Sequence, residues 1–225
     1  MIVVTGASKG LGAAICERLQ ARGDTVFGLA RDTRNLGFDC TDCDVGDYSA
    51  VKAAMRVVKK TGEPVEAVIN AAGSASMNMA VTTDQDTTIR LIRTNLMGTI
   101  FVCQLFAPLM LRRRTGSFIN FSTVAVALAL KGESVYAASK SGVEAFSRTF
   151  AREMADFDVR VNCIAPGPIK TDLLRGITDA QIDKIVSQQI VPKQYEKSDV
   201  CDLVELLLSP KANALSGQVL NVGGV

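Results

Sequence analysis

At 225 residues, the chain is long enough to bury a sizeable core, as one large α/β domain or as two small ones. Its formal net charge of +2 gives no electrostatic reason to expect nucleic acid or a membrane surface as a partner. The six cysteines include one C-x-x-C pair, but there is no histidine and no second such pair to complete a zinc site, so no metal is expected.

The first residues and the cysteines predict a cytoplasmic protein. Met1 leads directly into an apolar strand, so no signal peptide is expected, and reduced thiols suit the cytoplasm. The C-x-x-C of Cys40 and Cys43 is interpreted as a pair of strand thiols, with a redox function as the alternative.

Strand-like and helix-like segments alternate along the whole chain. In order they are a strand "MIVVT", a helix "LGAAICERLQARG", strands "TVFGLA" and "GFDCTDCDV", a helix "DYSAVKAAMRVVKKTG", a strand "VEAVINAAG", a helix at residues 84–112, a strand "GSFINFS", a helix at residues 135–156, a strand "DVRVNCIAPG", two shorter helices between about 178 and 208, and a strand "GQVLNVGG". This alternation predicts an α/β fold, a single Rossmann-like doubly wound parallel sheet of about seven strands with helices on both faces. No linker or repeat divides the sequence, so residues 1–225 are expected to form one domain.

Two segments depart from a simple pattern. Only "RDTRNLG" separates the second and third strands, which predicts a tight loop in place of a crossover helix. The apolar run at residues 96–111 contains Gln104 and Pro108 and is shorter than a bilayer span, so we expect a helix buried on most of its faces.

A glycine-rich turn follows the first strand. In "TGASKGLG", Gly6, Gly10 and Gly12 precede an amphipathic helix. Glycines at such a turn let the backbone approach a pyrophosphate, and the helix N-terminus adds N–H donors and a positive dipole end. A Walker-type loop is excluded, because no Gly-Lys-Ser/Thr follows at the required spacing.

The same turn begins a series of motifs that resembles the short-chain dehydrogenase/reductase family along nearly the whole chain. The matching pieces, in order, are "TGASKGLG", "CDV", "NAAG", "TNLMGTIF", "YAASK", "PGPIKTD" and "SGQVLNVGG". The chain looks most similar to the 3-oxoacyl-thioester (acyl carrier protein) reductases of that family. The resemblance implies that a nicotinamide cofactor is bound by Gly6, Ser8, Lys9, Gly10, Leu11, Gly12, Arg31, Asp44, Val45, Asn70, Ala71, Ala72, Gly73, Tyr136, Lys140, Pro166, Gly167, Ile169 and Thr171.

The choice between NAD(H) and NADP(H) depends on the residues facing the ribose 2′ position, where an acid suits a hydroxyl and a cation suits a phosphate. Arg31 stands where NAD-preferring members of the family carry Asp, and Lys9 precedes the second loop glycine. Both cations favour NADP(H). The alternatives are that they are ordinary surface cations, or that a shifted loop brings Asp32 to the ribose.

Tyr136 and Lys140 are four residues apart, so their side chains share one face of a helix. A nearby ammonium is expected to lower the pKa of the phenol from about 10, so that Tyr136 can exchange a proton with a substrate oxygen. The alternative is a pair on the helix surface. The family resemblance also implies a contact of Lys140 with the nicotinamide ribose.

Two further catalytic residues are implied by the resemblance. Asn95 is assigned to hold a water in the proton relay, although a mid-helix Asn could equally bond its own backbone. The family serine thirteen residues before the tyrosine corresponds to Thr123, with Ser122 one place earlier. Neighbouring strand residues point to opposite faces, so only one hydroxyl can enter the pocket of a regular strand. Thr123 is the first candidate and Ser122 the second.

Substrate choice is assigned to a loop and helical segment at about 172–208. The sequence predicts hydride transfer with a carbonyl or alcohol, with a 3-oxoacyl thioester first and a sugar, steroid or small ketone second. Two further function classes stay open, namely a non-catalytic NADP-binding regulator and a nucleotide-sugar epimerase or dehydratase. Apolar residues on more than one face of the helices at 84–112 and 135–156 predict a homo-oligomer, a tetramer or dimer.

Overall fold

The computed structural model describes residues 1–171 and 177–225, and within them seven parallel strands form one sheet in the order β3-β2-β1-β4-β5-β6-β7. The strands are β1 Ile2–Thr5, β2 Val26–Ala30, β3 Cys40–Asp42, β4 Ala67–Asn70, β5 Gly116–Phe121, β6 Val159–Ala165 and β7 Val219–Asn221. The helices are α1 Gly10–Ala21, α2 Tyr48–Lys60, α3 Gln85–Leu91, α4 Gly98–Phe106, α5 Pro108–Leu111, α6 Val124–Leu128, α7 Ser134–Ala155, α8 Asp179–Val186 and α9 Lys197–Leu208. The predicted doubly wound parallel sheet is confirmed.

Helices cover both faces of the sheet, and strand β1 shows how its residues are divided between them. Val3 packs into the core formed with α2, α4 and α7, whereas its neighbours Ile2 and Val4 pack into the core formed with α1 and α9. Successive strand side chains point to opposite faces, so a strand covered on both sides must be apolar at every position. That requirement explains why "IVV" reads as a continuous apolar run.

The order of the strands fixes where a ligand can bind. The chain passes outward from β1 through β2 to β3, then returns to place β4 on the other side of β1. The ends of three strands are level, because Thr5 is in register with Asn70 and Asn70 with Asn120. In open α/β sheets the crevice forms outside the carboxyl ends of the strands, where the winding direction reverses.

The loop between β2 and β3 confirms the predicted short crossover. Residues 31–39 connect the two strands as an irregular segment in which Phe38 covers the sheet over Gly28. A Cβ added to Gly28 would lie 2.7 Å from the Phe38 ring. The side chain of Phe38 therefore takes the place of part of the missing helix.

Residues Gln85–Leu111 are continuously helical and include a π-helical turn at Ile92–Met97. Among the described residues, this is the one helix that passes a membrane-span criterion of length and composition, with a mean hydropathy of 1.5. Within residues 96–111, Met97, Gln104 and Pro108 are exposed and all other residues are buried or partly buried, and 44% of the apolar window of the longer helix is buried. The buried positions in α4 recur every three or four residues, and the resulting stripe packs on the sheet.

Candidate active site

A cleft of about 790 Å³ lies at the carboxyl ends of β1, β4, β5 and β6. It collects most of the residues that the sequence assigns to a site, from segments distant in the chain. The predicted residues that line it are Gly6, Ser8, Lys9, Gly10, Leu11, Arg31, Asp44, Val45, Ala71, Ala72, Gly73, Ser122, Thr123, Tyr136, Lys140, Pro166, Gly167, Ile169 and Thr171. The predicted site residues Gly12, Asn70 and Asn95 lie behind this lining. Of the predicted substrate segment, residues 172–176 lie outside the described residues.

The glycine turn has the geometry that a close backbone approach needs. Gly6 and Gly10 have φ values of +68° and +63°, and a Cβ on Gly6 would lie 2.9 Å from the backbone of Ala72. Gly12 has a packing role, because its Cβ would overlap the carbonyl oxygen of Gly6, which lets α1 sit against β1. The first-turn N–H groups of α1 have no acceptor within the helix, so they suit an anion.

Charged residues line the cleft near the end of β2. Arg31 and Lys9 are exposed, and both belong to the lining. Asp32 forms an ion pair with Arg34 through two contacts, Nε to Oδ1 at 2.9 Å and Nη2 to Oδ2 at 2.6 Å. Hydrogen bonding with Arg34 lowers the pKa of Asp32 to about 2. Asp32 is the acid that could bind the ribose hydroxyls of NAD(H), and its carboxylate is already paired with the guanidinium of Arg34.

Asn70 and Asn95 hold the lining in place from behind. Asn70 Nδ2 donates to Asn120 Oδ1 at 2.8 Å, and Asn120 Nδ2 donates to Ser147 Oγ at 2.8 Å, which joins β4, β5 and α7. Both asparagine side chains are buried, with residues 3% and 0% exposed. Asn70 is therefore placed to support the cleft wall, although the sequence assigned it to direct cofactor binding.

The Asn95 side chain is fully buried in the π-helical turn. Its Oδ1 accepts from Ser74 N at 2.8 Å, and its Nδ2 donates to Ser74 O at 2.9 Å and to Ser139 Oγ at 3.0 Å. The side chain thereby fastens the loop after β4 to helix α7. π-Helical turns are frequent at functional sites, and this one aims the amide at both partners.

Tyr136 and Lys140 lie one turn apart on α7, and their residues are 9% and 5% exposed. Lys140 Nζ donates to the carbonyl oxygen of Phe121 at 2.9 Å. Burial lowers the pKa of Lys140 to about 8. Burial raises the pKa of Tyr136 well above its ordinary value, the Glu133 charge raises it further, and a hydrogen bond with Thr123 opposes the rise. The expected lowering of the Tyr136 pKa by Lys140 is wrong for this arrangement, because desolvation of the phenol dominates.

The two neighbouring hydroxyls after β5 have different partners. Ser122 Oγ donates to Glu144 Oε1 at 2.7 Å, and Glu144 also accepts from Arg148 at 3.1 Å. Thr123 Oγ1 instead accepts from Ala125 N at 3.2 Å, at the start of α6, and its hydroxyl lowers the pKa of the Tyr136 phenol. The extended backbone turns the two side chains apart. Of the two hydroxyls, Thr123 is the one that affects the pKa of the Tyr136 phenol.

Sequence reasoning missed Glu133, which lines the cleft and is 8% exposed. Burial raises the pKa of its carboxyl to about 7. A signal was available, because Glu133 precedes Tyr136 by three residues, a spacing that places two side chains on one helix face.

Comparison with known proteins finds a family model and curated relatives that match nearly the whole chain. The family model described as enoyl-(acyl carrier protein) reductase matches residues 6–224. The 3-oxoacyl-(acyl-carrier-protein) reductase of Salmonella typhimurium strain LT2 is 30% identical over 232 residues, which cover 99% of this chain and 95% of that protein. The corresponding reductase of Staphylococcus aureus strain Mu50 is 29% identical, with 99% and 96% covered.

Among solved structures, the ligand-free aldohexose dehydrogenase of Thermoplasma acidophilum superposes with a TM-score of 0.88 at 29% identity, covering 99% of this chain and 92% of its own. The family model and the curated relatives match nearly the whole chain, and they agree with the sheet order and the cleft. The chain therefore belongs to the short-chain dehydrogenase/reductase family, whose members are oxidoreductases acting on carbonyl and alcohol groups.

Proposed function

We propose that this protein is an NADP(H)-dependent reductase of 3-oxoacyl thioesters, carried on acyl carrier protein or coenzyme A. The observation that carries the proposal is that Thr123 and Tyr136 line the same cleft with their hydroxyl groups close enough for Thr123 to affect the pKa of the phenol, one helical turn from the buried Lys140. This arrangement places two hydroxyl groups where one substrate oxygen can contact both.

The residues along the cleft fit a dinucleotide. The positive-φ glycines and the start of α1 suit a pyrophosphate, Asp44 and Val45 suit the adenine, and the buried Lys140 suits the nicotinamide ribose. A bound nicotinamide would supply the hydride or accept it.

The chain's own groups would handle the proton. The raised pKa of Tyr136 keeps its phenol protonated at neutral pH, so the phenol is ready to donate a proton to a carbonyl oxygen during reduction. Thr123 would donate a second hydrogen bond to that oxygen and stabilise the charge that develops there. Lys140, with a pKa of about 8, stays largely an ammonium at neutral pH and would stabilise the phenolate that is left after Tyr136 has donated its proton.

Two observations support NADP(H) over NAD(H). Arg31 and Lys9 present cations to the cleft wall at the end of β2 and the glycine turn. Asp32, the acid that would favour an unphosphorylated ribose, is paired with Arg34. A 2′-phosphate would therefore meet positive charge without a free competing carboxylate from Asp32.

The relatives support the thioester as substrate, since two of them are named as 3-oxoacyl-(acyl-carrier-protein) reductases. A second candidate is a sugar dehydrogenase, favoured by the superposition on an aldohexose dehydrogenase at 29% identity. The test is nicotinamide absorbance with acetoacetyl-CoA and with a panel of aldohexoses, using NADPH and NADH in parallel. Turnover of acetoacetyl-CoA with NADPH supports the first function, and turnover of aldohexoses alone supports the second. Failure with every carbonyl tested favours a non-catalytic NADP-binding regulator.

We further propose a cytoplasmic homo-oligomer, a dimer or tetramer, formed through the helices at 84–112 and 135–156. In the first of these helices Ile89 and Met97 are 50% and 40% exposed. Phe101 and Phe146 are also only partly buried, which leaves apolar surface on both helices beyond the sheet. Sedimentation equilibrium tests this, with Met97→Asp expected to shift the distribution toward monomer.

A further inference from the structure

Glu133 is a carboxyl group built into the cleft wall. The residue directly precedes helix α7, lies three residues before Tyr136 in the chain, and is 8% exposed. Its charge raises the pKa of the Tyr136 phenol, and both side chains line the same cleft.

Among residues 1–171 and 177–225, no hydrogen bond or ion pair is formed by the Glu133 carboxyl, and it does not cap the helix that it precedes. The cleft wall near it is apolar and includes Ala75, Ala125 and Leu130. The other charged residues that line the same cleft are Lys9, Arg31, Asp32, Asp44, Asp86, Arg90, Arg93 and Lys140.

A buried carboxyl without a partner is costly to the fold. Proteins retain such conflicts mainly at functional sites, where a ligand completes the hydrogen bonding. The Glu133 carboxyl lies in the cleft lining, so a substrate bound in the cleft can supply the missing hydrogen-bond partner.

We propose that Glu133 determines specificity by hydrogen-bonding a second oxygen of the substrate, on a carbon near the one that reacts at Tyr136. The inference rests on the proposed function and defines its substrate class as carbonyl compounds with a neighbouring oxygen function. In a 3-oxoacyl thioester this oxygen is the thioester carbonyl, which accepts from the protonated carboxyl. In a hydroxy-ketone or sugar it is a hydroxyl, which donates to the carboxylate.

The test compares substrates that differ in the second oxygen. Hydroxyacetone and acetone form a matched pair, and acetoacetyl-CoA supplies the thioester. For Glu133→Leu we expect the ratio of kcat/KM for hydroxyacetone over acetone to fall about tenfold or more, because a buried polar site discriminates strongly against a missing partner. Acetoacetyl-CoA should lose activity by a similar factor if its thioester carbonyl is the group recognised.

Glu133→Gln distinguishes whether the second oxygen is a thioester carbonyl or a hydroxyl. The amide keeps a donor at every pH, so it should retain activity on acetoacetyl-CoA and remove the decline that the wild type shows as pH rises through about 7. Hydroxyacetone, which needs only an acceptor, should show no such decline in the wild type. Glu153→Leu, an exposed position on the same helix, is the control and should leave the substrate ratio unchanged.

The outcomes are distinct. A loss in Glu133→Leu that is equal for hydroxyacetone, acetone and acetoacetyl-CoA overturns the inference and leaves the proposed function in place. Absence of turnover in the wild type with all three substrates overturns the proposed function itself. The thermal midpoint of Glu133→Leu provides a second measurement. A rise agrees with removal of an unpaired buried carboxyl, whereas a clear fall shows a structural role and overturns the inference.

Discussion

The two ends of the cleft are built on different principles. At the nucleotide end (residues 6–11, 31 and 44–45), backbone conformation and a helix N-terminus make the surface, and Lys9, Arg31 and Asp44 are exposed. At the reaction end (Thr123, Glu133, Tyr136 and Lys140), the side chains of Glu133, Tyr136 and Lys140 are buried, and desolvation displaces their pKa values. Binding a common nucleotide needs shape and an anion site, whereas chemistry needs individual groups held out of water.

The largest expected effect is at the reaction end. Tyr136→Phe removes the proton donor while it keeps the ring in its apolar site, so kcat should fall roughly a thousandfold. Steady-state kinetics with acetoacetyl-CoA would measure this. Nucleotide affinity, read by quenching of NADPH fluorescence, should change little because the nucleotide end is intact. A comparable loss of NADPH affinity would contradict the separation of the two ends.

Thr123→Val should lower kcat by about a hundredfold, the effect of removing one donor to a developing oxyanion. Thr123→Ser is the matched control and should retain most activity. Ser122→Ala should act mainly on stability, because it leaves the buried Glu144 carboxylate with one hydrogen bond fewer. The reverse result, with kcat lost in Ser122→Ala and kept in Thr123→Val, would reassign the catalytic hydroxyl.

Arg31→Asp tests the nucleotide end. The change replaces a cation at the cleft wall by an acid, so the ratio of kcat/KM for NADPH over NADH should fall about tenfold or more, with little change in kcat. Arg34→Ala is the companion variant, since it releases Asp32 and should shift the same ratio by a smaller factor. An unchanged ratio in both would show that Arg31 is an ordinary surface cation.

The smallest effect concerns stability. The folded-state pKa of Glu133 is raised from 4.5 to about 7, so the folded protein binds more protons than the unfolded chain between these values. The free energy of unfolding should therefore decrease as pH rises through this range, by about 3 kcal/mol at most. Urea unfolding of the wild type and Glu133→Gln at about pH 5 and about pH 8 measures the difference. The variant should lack this decrease, and an identical pH dependence in both would show that Glu133 does not titrate as expected.

Much of the fold and part of the site could be predicted because their signals are local. Alternating apolar strands and amphipathic helices specify a parallel sheet, and "TGASKGLG" between β1 and α1 specifies the nucleotide end. The four-residue spacing of Tyr136 and Lys140 places both on one face of α7 wherever that helix packs.

Tertiary structure alone decided the chemical state of those residues. In the folded protein Ser122 donates a hydrogen bond to Glu144, whereas Thr123 affects the pKa of Tyr136. Asp32 forms an ion pair with Arg34. Tertiary structure also buried Tyr136 and Glu133 together, which raised the pKa of both. Sequence determines which groups are present and their spacing along an element, whereas hydrogen-bond partners and desolvation depend on which distant segments meet in space.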